Sequence, residues 1–188
     1  TSNPLSQFAA TTSAQLRAVL SDEIGTGAAV FESAIREKLT AARTYYVRTD
    51  GSDSNTGLAN TSGGAFLTVA KALSICAALD AATYDVTVSV GAGTFAETVT
   101  LPPMVGSGTF TLSGAGTAST TINNVIVSHH AAWSIGSFKM TGGTTLLTVG
   151  PFARLTVSAA VDFGASSADQ VFCQQASQFY ALANYTIS

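Results

Sequence analysis

The chain has 188 residues and a mass of 19.1 kDa, enough for one domain with a sizeable core, or for one domain and an appended arm. Only 10% of its residues are charged while Thr and Ser fill 47 positions, and a net charge of −3 with eight Lys and Arg leaves no basic stripe for nucleic acid or an anionic bilayer. The hydrophobic content of 46% excludes a disordered chain, and the longest apolar candidate, Val69 to Ala82, is broken by Lys71 and Asp80, so no membrane insertion is expected.

At the N-terminus, Thr1-Ser2-Asn3-Pro4-Leu5 has neither the basic nor the apolar region of a secretory signal. Thr12-Ser13-Ala14-Gln15 has the form of a capping box ahead of Leu16, Val19 and Leu20, which predicts a short helix ending near Glu23. After Gly25-Thr26-Gly27, a second helical pattern places Phe31, Ile35 and Leu39 on one thin apolar seam. So narrow a seam needs covering, either by the rest of the chain or by copies of itself. Residues 1–44 are therefore expected to form a helical arm, with Phe31, Ile35 and Leu39 as its oligomerisation residues.

From Tyr45 the pattern changes. Tyr45-Tyr46-Val47 predicts a strand, and Asp50-Gly51-Ser52-Asp53-Ser54-Asn55-Thr56-Gly57 a long turn. Thr68 is placed to cap a helix running to about Asp80, whose apolar residues Val69, Ala72, Leu73, Ile75, Cys76 and Leu79 surround most of its surface. Cys76 and Cys173 both sit among apolar neighbours and are expected to be buried thiols.

Past Tyr84 the helical period gives way to short alternating segments with a regular spacing. Val88, Phe110, Trp133, Leu155 and Tyr180 follow one another at 22, 23, 22 and 25 residues, and a second series, Val99 to Ile122, Val125 to Leu147 and Leu147 to Val171, steps by 23, 22 and 24. Two series keeping one period predict a solenoid, each turn laying its strands on those of the turn before at about 4.8 Å. A β-sandwich is the alternative, because hairpin pairs can also recur at about twenty residues. The outward positions carry Thr87, Ser89, Thr111, Ser134, Lys139, Arg154, Thr156 and Asp162, mostly hydroxyls suited to a wet β surface.

Two stretches carry a family resemblance. Tyr45-Tyr46-Val47, Gly51 to Leu58 and Phe66-Leu67-Thr68-Val69-Ala70-Lys71-Ala72-Leu73 together resemble the opening segment of right-handed parallel β-helix proteins of the pectate-lyase-like type. Pro4 to Leu16, with Leu20-Ser21-Asp22-Glu23 and Gly25-Thr26-Gly27-Ala28, is similar to a segment of bacteriophage tail fibre and tailspike proteins. The resemblance implies a mainly β chain: a right-handed parallel β-helix over 45–188, with an N-terminal cap at 45–83 and coils from 84 that continue past the chain end, carried on the helical arm. It further implies a homotrimeric virion appendage, assembled in the host cytoplasm, whose partners are itself, other tail proteins and bacterial surface polysaccharide. A purely structural shaft or head fibre is a further possibility.

Candidate chemistry is sparse. Polysaccharide cleavage, the enzymatic alternative, needs two carboxylates about 5 to 9.5 Å apart. The acids of the coil, Asp85, Glu97, Asp162 and Asp169, are not spaced one turn apart, so a catalytic pair would have to form across an intersubunit groove. No catalytic residue and no cofactor is assigned. Gly91-Ala92-Gly93-Thr94-Phe95-Ala96 imitates a dinucleotide fingerprint, but the next residues predict a strand instead of a helix. Asp50, Asp53 and Asn55 are a weak Ca²⁺ candidate, lacking the bidentate Glu of an EF-hand loop, and turn chemistry accounts for them better. His129 and His130 have no neighbouring carboxylate or Cys and fall in a loop. With the outward Lys139 and Arg154 they form the candidate ligand-binding set, whereas Trp133 is assigned to the core.

Overall fold

The computed structural model describes residues 36–187. The expected N-terminal helices, including Phe31 and Ile35, lie outside them. One compact unit begins at Glu37. It is a mainly β solenoid of parallel strands, with a single short helix among the described residues.

Its strands form three ladders. The first is six strands deep: β2 (Arg43–Val47), β4 (Val86–Val90), β6 (Phe110–Ser113), β8 (Ala132–Gly136), β11 (Arg154–Val157) and β14 (Gln178–Ala181). Two long strands, β5 (Gly93–Leu101) and β7 (Thr120–Val127), each serve two ladders, the register between them shifting between Phe95 and Thr98. The first half of β7 pairs with β9 (Phe138–Met140), which leads to β12 (Val161–Phe163) and β15 (Tyr185–Ile187). Its second half pairs with β10 (Leu147–Val149), and that with β13 (Val171–Cys173).

Alternation decides which side chains enter the coil. Tyr45, Val88, Leu112, Ile135 and Val157 stack in register through the first ladder, every one of them buried. Between them, Thr87, Thr111, Ser134 and Thr156 occupy the outer face, where Ser134 is nevertheless buried and donates to the Ser158 hydroxyl at 2.7 Å. Thr120 is buried as well, its hydroxyl donating to the Gly91 carbonyl at 2.9 Å and accepting from the Ala115 N–H at 2.9 Å. Among the described residues, no buried side-chain nitrogen or oxygen lacks a partner, as a close-packed interior requires.

The register departs in places from the sequence spacing. Val88 lies beside Leu112 and Val86 beside Phe110, while Val99 lies beside Val125 and Phe95 beside Ile122. Those slips keep side chains on the right face. At the last turn, Leu155 pairs with Phe179 and not with Tyr180; that slip of one position reverses the face, and Tyr180 is exposed.

The described unit also begins before the expected boundary at residue 45. Glu37–Lys38 is a strand, β1, pairing in parallel with β3 (Leu79–Asp80), and Leu39 is only 2% exposed in the core, its N–H bonded to the Asp80 carbonyl at 2.8 Å. Tertiary pairing overrides the helical pattern there, and Leu39 is unavailable to a seam between copies.

Helix α1 (Val69–Ala77) packs on β2, β4 and β5 through Val69, Ala72, Leu73 and Cys76. Its N-terminus is held three ways. The Thr68 hydroxyl accepts from Lys71 N–H at 3.1 Å, and the Glu97 carboxylate accepts from Val69 and Ala70 N–H at 2.8 and 3.0 Å. Asp53 accepts from the N–H groups of Leu67 and Thr68 at 2.9 and 3.0 Å and from the Thr68 hydroxyl at 2.8 Å. Anions are favoured here because a helix N-terminus presents free N–H groups and a positive dipole end.

Partial burial pushes the Asp53 carboxyl up, but the hydrogen bonds from Thr68 and Leu67 outweigh it and hold it below the usual carboxylate range. Its contribution to stability is thus present above the unfolded value of about 3.9 and is lost as the pH falls through the lower folded value. Asp53→Ala is expected to destabilise by about 1–2 kcal/mol at neutral pH. Urea denaturation should show that gap closing on acidification; an equal gap in acid would contradict this role.

The final turn leaves most of its inward side chains uncovered, Phe179 being half-buried against the core. Val171, Tyr185 and Ile187, in register with the buried Leu147, Val161 and Phe163, are exposed, and so is Cys173, beside the buried Val149. The expectation of two buried thiols therefore holds for Cys76 alone, where burial pushes the thiol up to about 12. A thiol-specific disulfide reagent should titrate one cysteine in the native protein and both in denaturant; two reactive thiols in the native state would contradict the packing of α1.

Candidate functional site

Three successive turns of the coil repeat one corner between the third ladder and the first. Residues 128–131, 150–153 and 174–177 each close with an N–H to carbonyl bond of 3.1 Å, from Ala131 to Ser128, Ala153 to Gly150 and Ser177 to Gln174. In each, the third residue is left-handed: His130 at φ 57, Phe152 at φ 57 and Ala176 at φ 56. Pro151 suits the second position of such a turn, but a bulky Phe at the third costs about 1–2 kcal/mol of backbone strain. The corners stack by bonds from His130 N–H to the Pro151 carbonyl at 3.3 Å and from Phe152 N–H to the Gln175 carbonyl at 3.2 Å. As a result, the His130 and Phe152 rings are stacked, centroids 5.4 Å apart and 7° from parallel, with Phe152 58% exposed.

Beside this ring pair runs a groove of about 400 Å³. Its floor consists of Ala132 and Ser134 of β8 and Arg154 and Thr156 of β11, with the edges of Phe110 and Trp133 beneath. The opposite wall is the segment Met104 to Thr109, fixed to the chain before β4: Ala81 N–H donates to Val105 O at 2.8 Å, Ser107 N–H to Ala82 O at 2.6 Å and Thr109 N–H to the Asp85 carboxylate at 2.7 Å. Gly108 permits this approach, since a Cβ there would strike the Tyr84 carbonyl. Trp133 anchors the floor, donating from Nε1 to the Pro102 carbonyl at 2.7 Å, and is 3% exposed, as its core assignment requires.

The groove thus brings together His130 and Arg154, two of the four residues selected from sequence. No Asp or Glu lines it, and among the described residues no ion-pair partner holds the Arg154 guanidinium. His129 lies exposed in the same corner but does not line the groove. Lys139 is on another ladder, in register with Asp162 and bridged to its carboxylate at 3.1 Å. Phe152, which stacks on His130 without lining the groove, and the wall from Met104 to Thr109 are not among the sequence candidates. The equal spacing of His130 and Phe152 within the repeat was the available signal for the first; nothing local marks the second.

A second hollow, of about 610 Å³, adjoins Tyr45, Phe66 and Ile75, and Glu37, Arg43 and Asp53 on its lining are already engaged. Arg43 bridges Glu37 at 2.7 Å, and Asp53 is occupied at the helix terminus. The weak Ca²⁺ candidate is likewise engaged in turn chemistry: Asp50 takes both Arg48 Nε at 2.8 Å and a second guanidinium nitrogen at 3.0 Å, and Asn55 donates to the carbonyls of Ser62 and Ala65 at 3.0 and 2.8 Å. Among the described residues, no group of three or more His, Cys, Asp or Glu is placed to hold a metal ion, and no helix is long and apolar enough to cross a membrane.

Comparison with protein families, with curated proteins and with solved structures finds no match to this chain.

Proposed function

We propose that this chain is part of a phage virion appendage, a tail fibre or tailspike, that recognises carbohydrate on the bacterial surface. The supporting observation is the groove between the Met104 to Thr109 wall and the β8–β11 floor. It is preformed, rimmed with hydroxyls and flanked by an exposed ring pair, which suits a ligand with polar edges and apolar faces. In this reading the solenoid is a right-handed, pectate-lyase-like β-helix with α1 as its cap, carried on a homotrimeric arm that joins other tail proteins.

The carboxylates favour binding over cleavage. Glu97 caps α1, Asp85 holds Thr109 and Asp162 pairs with Lys139, so three of the four coil acids have structural partners. A depolymerase or a purely structural shaft is the competing role.

Sedimentation and a cell pull-down test the reading together. The expected result is a trimer that binds cells of a suitable host and loses them once their surface polysaccharide is stripped. Release of reducing ends or unsaturated sugars would replace binding with catalysis. A monomer that ignores intact cells of every candidate host would overturn the proposal.

A further inference from the structure

We infer that, whatever the groove binds, the last described turn of the coil is a self-association surface on which a second copy of this chain docks end to end about a two-fold axis. Each ladder stops there at an unpaired edge: β14 ends the first, β15 the second and β13 the third, with no strand beyond them among the described residues. Such edges are templates for further strands, and native proteins commonly guard them with charged side chains or Pro. Residues 171–187 contain neither. Among the described residues, six of the eleven exposed large hydrophobics, Val171, Phe172, Tyr180, Leu182, Tyr185 and Ile187, fall in this one turn, a concentration that marks an interface. Its three half-exposed rings offer about 300 Å² between them. The aliphatic side chains and strand backbones add to this, toward the about 800 Å² that each partner buries in a standard interface.

The opposite end of the coil decides which surface a second copy can bring. The outer edge of β2 is already covered by its own long turn, where Tyr46 N–H donates to the Gly57 carbonyl at 2.8 Å, Phe66 N–H to the Tyr46 carbonyl at 2.9 Å and Arg48 N–H to the Phe66 carbonyl at 2.9 Å. Head-to-tail stacking is thereby blocked at the first ladder, so the contact joins two like ends. A two-fold axis across the first ladder pairs β14 with its own copy, antiparallel, and β13 with β15 of the partner subunit. The strands match. β13 and β15 are each three residues long and alternate inward, outward, inward, so Val171 meets Ile187 of the partner subunit and Cys173 meets Tyr185 of the partner subunit, core face against core face. In β14, the inward Phe179 meets the small Ala181 of the partner subunit. Because β13, β14 and β15 follow one another along the rise of the coil, the same two-fold sets all three pairs at one spacing, about 4.8 Å.

Sedimentation equilibrium of the full chain over a concentration series reads this contact. The particle present at high dilution is expected to double in mass as concentration rises, whether it holds one chain or three, since a two-fold across the coil also doubles a three-fold assembly. Cys173, open to reagents in the dilute protein, should lose reactivity over the same range. Ile187→Lys, at an exposed position, would bury an unpaired charge in the contact; it should weaken the doubling about tenfold or more and leave the melting temperature of the dilute protein unchanged. With oxidised glutathione, Tyr185→Cys should give a covalent dimer in which position 185 of one copy is joined to Cys173 of the other. No doubling up to about 1 mM, or doubling untouched by Ile187→Lys, would overturn the inference. Links between Cys173 residues alone would contradict the two-fold pairing.

Discussion

Trp133→Ala is expected to lower stability by about 3–5 kcal/mol, the range for emptying an aromatic site in a packed interior. Trp133 lies in register with Leu155, its ring centroid 5.9 Å from that of Phe110, so its loss opens a void between successive turns of the coil. The indole N–H bond to Pro102 disappears as well. Trp133→Phe keeps most of the filled volume and loses mainly that bond, at a cost of about 1–2 kcal/mol. Guanidinium denaturation followed by circular dichroism ranks the three proteins. A loss below about 1 kcal/mol for the alanine variant would mean that the turns are not stacked through this residue.

Gly57→Ala should cost about 2–4 kcal/mol, although it adds one methyl group. Gly57 is left-handed at φ 75, and a Cβ there would enter the Phe66 ring. That ring is 1% exposed and stacks on Tyr45 with centroids 6.0 Å apart, so making room for the methyl disturbs this stacking. Gly57 also joins the long turn to β2, accepting from Tyr46 N–H and donating to the Gly64 carbonyl, both at 2.8 Å. Adding Phe66→Leu to Gly57→Ala should cost less than the sum of the two separate changes, because the smaller side chain admits the methyl. Gly63→Ala is the control: nothing lies within 4 Å of its added Cβ, so it should be neutral or slightly stabilising. Equal losses at Gly57 and Gly63 would contradict the described packing of the turn.

The coil was legible because stacking parallel strands forces one chemical pattern to recur at each turn. Trp133 and Leu155, Val125 and Leu147, and Leu147 and Val171 pair in register at the spacing the sequence shows. Register was less legible where spacing alone had to decide. Val86 and Val88 alternate identically, so a slip of two leaves no trace, and Phe179-Tyr180 offers an aromatic residue to either face. Thr68 was legible as a cap because its chemistry is local; Glu97, 28 residues from the Val69 N–H it accepts, was not. The groove falls between these cases. His130 and Arg154 were visible as unassigned polar residues, but their meeting depends on one corner of the coil stacking on the next, which no local pattern encodes.

Hydrogen exchange with and without purified host-envelope polysaccharide tests the central claim most directly, because it locates contact along the chain. The account predicts added protection at 104–109, 128–131 and 150–156, the segments that wall and flank the groove, with little change on the ladder that carries Lys139. Protection confined to another face, or none under conditions where the polysaccharide demonstrably binds, would contradict the groove as the recognition site.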